Sequence, residues 1–168
     1  RNPRVDVTLW LGEIAAMEKR LALVGSLVPF GAVAYGDPGW QAVVPRGVEH
    51  RGRVAHGDDL TRVYCAADIN VDIGRIYQSD IVTMRVFDVL SCGAFLLAEH
   101  NEALTGLFEI GVEVETWRTP QELKEKVAWY LSHPEERLAM AQRGMKAVHE
   151  RHTIQLRVDE MLQAVTLP

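Results

Sequence analysis

Ser79-Asp80-Ile81-Val82-Thr83-Met84-Arg85-Val86-Phe87-Asp88-Val89-Leu90-Ser91-Cys92-Gly93-Ala94-Phe95-Leu96-Leu97-Ala98-Glu99 is the stretch on which the fold turns. Thr83–Ser91 reads as a helix that stops at Gly93 and is apolar nearly all round, as expected of a helix packed deep against a sheet. Phe95–Ala98 then reads as a short, wholly apolar strand. Only Arg85 and Asp88 break the helix's apolar surface strongly. Asp80 lies just ahead of the helix, eight positions before Asp88.

Upstream, Ile14, Met17, Leu21 and Val24 recur at helical spacing and predict a helix over Trp10–Leu27. Phe30–Tyr35 is an apolar run closed by Gly36-Asp37-Pro38-Gly39, a strand followed by a turn. Trp40–Pro45 fits either assignment, and Val48–Val54 alternates weakly as a short strand. Asp58 is placed to cap a helix with Leu60, Val63, Tyr64 and Ala67 on one face, and Ile69–Ile73 is the next strand. Downstream come a brief helix near Ala103–Phe108 and a strand over Val112–Trp117. Thr119-Pro120-Gln121-Glu122 then joins a capping box to a proline at the first helical position. The helix it opens presents Leu123, Val127, Tyr130 and Leu131 inward. His133-Pro134 starts another, with Leu138, Ala141, Met145 and Val148 inward, and a last helix covers Ile154–Val165. Strands alternating with helices specify one α/β domain over residues 1–168, with a Rossmann-like, mainly parallel sheet and a helical last third. Ligands of such sheets bind where the strands end, so the loops after Tyr35, Ile73 and Ala98 are the places to look.

Composition narrows the function. A net charge of −5 with no basic tract argues against a nucleic-acid binder that works by neutralising phosphates. No apolar run reaches the ~18 residues needed to span a bilayer, and the N-terminus shows no secretory signal. The chain opens Arg1-Asn2-Pro3-Arg4 without a Met, which reads as an excerpt of a longer polypeptide. Cys65 and Cys92 sit in apolar helical patterns and read as small hydrophobes in a reducing cytosol, which makes the expected location cytoplasmic. There is no Gly-X-Gly-X-X-Gly, no P-loop, no Gly-X-Ser-X-Gly elbow and no pair of Cys-X-X-Cys motifs. His149 and His152 read as a solvated helix face rather than a metal pair.

The chemistry therefore concentrates at Asp80–Asp88. The amides of Ile81, Val82 and Thr83 would point at a phosphate lying over the helix mouth, helped by the helix dipole. A carboxylate suits ribose because it accepts from two neighbouring hydroxyls. A purely structural reading stands beside this one: Asp80 as an N-terminal charge or cap, and Arg85–Asp88 as an i,i+3 ion pair.

The segment resembles the glutamate-X7-glutamate region of retaining GT-B glycosyltransferases, with Asp80 and Asp88 as the two acids. The chain is most similar to the spore-maturation-type branch of these enzymes. Three motifs carry the likeness, in order: Tyr35-Gly36-Asp37 with Trp40, Arg85-Val86-Phe87-Asp88-Val89-Leu90-Ser91-Cys92-Gly93, and His133-Pro134-Glu135-Glu136-Arg137. The resemblance implies the C-terminal, donor-binding half of such an enzyme, moving sugar from a nucleotide diphosphate sugar with no metal or other cofactor. Its acceptor site would lie on an N-terminal domain outside this sequence. Asp80 is then the candidate catalytic residue, facing the sugar or its diphosphate with the amides that follow it, and Asp88 holds the ribose. Gly36 and Asp37 border the base, and Trp40 either stacks on a ring or anchors the loop. Arg75 and Arg85 are candidate phosphate partners, although an ordinary surface role explains Arg75 equally well. The chain departs from the family pattern in three ways: both acids are Asp rather than Glu, the glycine after the first acid is replaced, and no lysine is evident for the diphosphate. A non-catalytic interaction module that kept the fold, and a sugar-nucleotide epimerase, are the competing readings.

Overall fold

The structure is a computed structural model that describes residues 6–78 and 80–166. Ser79 and Arg1-Asn2-Pro3-Arg4 lie outside the described residues. Helix α1 spans Val7–Ser26, capped by Asp6, whose Oδ1 accepts from the amides of Thr8 and Leu9 at 3.0 and 3.1 Å. It leads through a 3-10 turn, Val28–Phe30, into β1 (Val33–Ala34). A short α2 (Trp40–Val43) resolves the ambiguous segment, and β2 (Glu49–His50) pairs parallel with β1.

A second sheet follows. Helix α3 (Asp58–Ala66) leads to β3 (Asn70–Asp72), α4 (Met84–Ser91), β4 (Leu96–Glu99), α5 (Glu102–Thr105) and β5 (Glu115–Trp117). Its strands lie in the order β3-β4-β5, all parallel. Asp58 is the first residue of α3 rather than its cap, which is Gly57, so it acts as a negative charge at the positive end of the helix. The strands are shorter than their apolar runs because pairing stops where the loops diverge.

The central strand is buried on both faces, as its continuous apolar run requires. Phe95 and Leu97 join Leu23 and Leu27 from α1 and its end, and Leu123, Val127 and Tyr130 from α6 (Pro120–Ser132), on one side. Leu96 and Ala98 join Val86, Val89 and Leu90 of α4, and Ala147 and Val148 of α7 (Pro134–Arg151), on the other. Helix α4 ends as the sequence predicts: Cys92 caps it, and Gly93 follows with φ of 70°, a left-handed conformation suited to glycine. Thr119 Oγ1 accepts from the Glu122 amide at 3.1 Å, and the Glu122 carboxylate reaches back to the Arg118 amide at 2.8 Å and also interacts with the Thr119 amide. Helix α8 covers Ile154–Thr166.

Several inward assignments change. Leu131 and Leu138 are exposed: the buried stripe of α6 runs 123-127-130, and that of α7 centres on Met140, Gly144 and Ala147. Met17 is exposed, and the inward line of α1 runs through Ala16, Leu23 and Leu27. Both cysteines are free; Cys65 is exposed rather than packed, because α3 contributes no fully buried residue. His152 is not solvated. Its Nε2 lies 3.0 Å from the Leu107 carbonyl oxygen and its ring packs on Phe87 and Phe108, fixing the end of α7, while His149 is exposed.

Candidate functional site

Two loops leave the carboxyl ends of adjacent strands, from β3 into α4 and from β4 into α5. Between them and α1 lies a cleft of about 230 Å³, whose lining includes Lys19, Asp72, Arg75, Thr83, Glu99 and His100. This is where an open parallel sheet positions a ligand, because the loops diverge there and helix N-termini face the opening. Asn101 sharpens the second loop by capping α5, its Oδ1 accepting from the Leu104 amide at 2.8 Å.

The walls are held by tertiary contacts. Lys19 Nζ, from α1, donates to both oxygens of Glu99 at 2.6 and 2.7 Å, and the Gly74 amide donates to Glu99 Oε2 at 3.0 Å. One carboxylate thus ties α1, the β3–α4 loop and β4 together. The Lys19–Glu99 pair also borders a neighbouring hollow of about 250 Å³, lined by Ala22, Leu23, Trp117 and Pro120. Asp72, buried at the end of β3, pairs with Arg85 Nη1 on the first turn of α4. Arg75 approaches Glu13 at 3.7 Å and lies over the Tyr77 ring. Arg20, half-buried on α1, is held below the usual guanidinium range, first by burial and then by the charges of Arg75 and Arg85. Lys19 and Arg75 thus line the cleft, with Arg85 beside it on Asp72 and Arg20 within electrostatic reach of Arg75 and Arg85.

Helix α4 starts one residue later than the sequence predicts, with Thr83 as its cap. The Ile81 amide is spent on a turn, donating to the Gln78 carbonyl at 3.3 Å. The amides at the helix mouth are accordingly those of Thr83, Met84 and Arg85. Thr83 does not cap with its side chain, and its Oγ1 is buried with no hydrogen-bond partner. Buried hydroxyls are rarely left so.

The residues singled out in the sequence divide. Arg75, Ile81 and Thr83 line the cleft, and Arg85 adjoins it through Asp72. Val82 packs half-buried against the core on the α4 side. Asp80 is exposed in the loop before α4 and is not part of the cleft lining. Asp88 is half-buried on α4 on the side facing α3, within electrostatic reach of Tyr64, whose phenol burial pushes up. Arg85 pairs with Asp72, not with Asp88 as an i,i+3 partner. Gly36 and Asp37 belong to the turn after β1 in the other sheet. Asp37 Oδ1 accepts from the Gly39 amide at 2.8 Å, and a Cβ on Gly36 would come within 2.8 Å of Trp40 Cδ1. Trp40 therefore packs under its own turn.

Sequence reasoning missed Lys19, Arg20, Asp72 and Glu99. Two left a signal: Asp72 and Glu99 are the last residues of their strands, where ligands bind. Arg20 left another, a charge four residues after Ala16 and three before Leu23 on the buried line of α1.

Over residues 4–163 the chain matches a family described as glycosyl transferase-like. It also matches two crystal structures of Anabaena Alr3699/HepE, one in complex with UDP and glucose and the other with UDP-glucose. The TM-scores are 0.69 and 0.66, each at 16% identity, covering 86% and 84% of this chain and 44% of that one. This chain thus spans less than half the length of HepE. No curated protein matches it. The shared architecture is that of one half of a GT-B fold, and the chain belongs to the glycosyl transferase-like family.

Proposed function

We propose that this chain is the donor-binding half of a cytoplasmic glycosyltransferase that moves sugar from a nucleotide diphosphate sugar to an acceptor held by another domain. The observation that carries the reading is the cleft at the ends of β3 and β4, rimmed by Lys19, Arg75 and the mouth of α4, on a fold shared with a protein crystallised with UDP-glucose. The diphosphate lies over the α4 amides with Lys19 and Arg75 beside it, and Arg85 is presented by Asp72. Oriented amides and cations of this kind stabilise the charge that develops on a leaving diphosphate. Asp88 takes the ribose on the α3 side of the helix, Asp80 approaches the sugar from the loop, and Gly36 and Asp37 border the base.

Calorimetric titration with UDP, GDP and their sugar conjugates tests the proposal. Micromolar to millimolar binding of one nucleotide series is expected. No binding to any of them by a chain with an intact melting transition refutes it. One observation favours a second reading, a fold retained without turnover: Asp80, the candidate catalytic residue, is exposed and lies off the cleft. Activity of the full-length protein that vanishes on Asp80→Ala, with stability unchanged, would exclude that reading.

A further inference from the structure

We infer that Glu99 is the specificity-determining residue that accepts a hydrogen bond from a hydroxyl of the transferred sugar, an inference that rests on the donor-site reading above. Asp72 is paired with Arg85 and its side chain is only 10% exposed, while Asp80 and Asp88 do not line the cleft. Glu99 is therefore the more accessible of the two carboxylates in the cleft lining. A carboxylate offers about four lone-pair sites. Lys19 takes one on each oxygen and the Gly74 amide takes a second on Oε2, so one site on Oε1 stays open. The side chain is 24% exposed, enough for a ligand to reach it.

The same contacts suit the group to a sugar. Lys19 neutralises Glu99, so the carboxylate can stand beside a diphosphate without repelling it, and three hydrogen bonds from Lys19 and the Gly74 amide fix its orientation before the ligand arrives. Its place in the fold separates it from the ribose. Asp88 and Tyr64 lie with α4 on the face of the sheet that packs against α7, whereas Lys19 approaches from α1 on the opposite face. A diphosphate crossing the strand ends between these faces puts the nucleoside toward α3 and the sugar toward the Lys19–Glu99 pair.

The test titrates wild type and Glu99→Gln with UDP and UDP-glucose, or with GDP and GDP-glucose if guanine is the base selected, and with conjugates in which one sugar hydroxyl at a time is replaced by hydrogen. The expected result is that the advantage of the conjugate over the bare nucleotide falls about tenfold or more, the usual worth of a hydrogen bond to a charged acceptor, whatever the release of Lys19 does to the affinity for the nucleotide itself. One deoxy conjugate should lose the same factor in wild type and nothing further in Glu99→Gln. If Glu99→Gln does not fold, Glu99→Asp, which keeps the charge but retracts it by one carbon, should give the same pattern. Equal loss for nucleotide and conjugate assigns Glu99 to the nucleotide or to holding the loop and overturns the inference, as does no loss for either. Wild type that binds none of these ligands refutes the donor-site reading instead.

Discussion

Replacing Gly144 by alanine sets two sizeable effects against each other at the contact that fixes α4. Alanine in a helix interior is favoured over glycine by about 1 kcal/mol, so propensity alone predicts a more stable protein. Packing predicts the reverse. A Cβ at position 144 would stand 2.4 Å from the Glu113 carbonyl oxygen and 2.8 Å from Leu90 Cδ2, where ordinary contact begins at 3.4 Å. Leu90 is a side chain and can turn away, but the Glu113 oxygen belongs to the backbone just before β5 and moves only if the helix or the strand moves. Overpacking of this kind costs roughly 1–3 kcal/mol, and the upper end applies when backbone must shift. The net expectation is a loss of about 2 kcal/mol, equivalent to a fall of about 4–8 °C in Tm for a domain of this size. Thermal unfolding followed by circular dichroism, with the urea midpoint as a second measure, reads this directly. Because Leu90 belongs to the helix whose mouth forms the cleft, UDP-glucose affinity should fall along with stability. A Tm equal to or above wild type would show that α7 and α4 are not in the close contact described, and the placement of α4 would fall with it.

Thr83→Val removes a buried hydroxyl that has no partner. Stability should hold or rise by up to about 1 kcal/mol while nucleotide-sugar affinity drops, which paired melting and titration experiments will show. A clear loss of stability would mean that the hydroxyl already serves the fold. Alkaline pH gives a separate test. Burial first, and then its hydrogen bond to Glu115, push the Tyr130 phenol above its ordinary 10.0. Lys126 is held above 10.5 by Glu122 and Glu115, against the pull of burial. Both groups bind their protons more tightly folded than unfolded, so their contribution is complete below about pH 10 and is lost as pH rises through the folded values. Tyr130→Phe should be less stable at neutral pH, having stripped a donor from buried Glu115, and should lose stability more gently above pH 10. An unchanged alkaline slope would contradict this.

The order of elements was legible because the signals are local. Helical spacing, the Gly36–Gly39 turn, the stop at Gly93 and the Thr119 cap each depend on residues within one turn of one another. The direction each helix faces was less legible. Apolar residues cover more of α1, α6 and α7 than the core accepts, so Met17, Leu131 and Leu138 look inward in the sequence and are exposed in the structure. The cleft was legible only as a location. Its walls depend on pairs such as Lys19 with Glu99, 80 residues apart, and Arg85 with Asp72, 13 apart, which no window along the chain brings together.

The two acids that first marked the site carry the same lesson. Eight residues of spacing place Asp80 and Asp88 on one segment, and that is all spacing can do. Helix α4 then starts at Met84, which leaves Asp80 in the loop and exposed, and Asp88 turns toward α3. No lysine near the motif answers a diphosphate, yet the cleft holds Lys19, more than 60 residues before α4, brought there because Leu23 and Leu27 must bury themselves against Leu97 and Trp117. The burial of α1 thus decides which cation stands in the cleft. A substitution that moved α1, such as Leu23→Ala, would consequently weaken a diphosphate ligand without touching any residue of the motif.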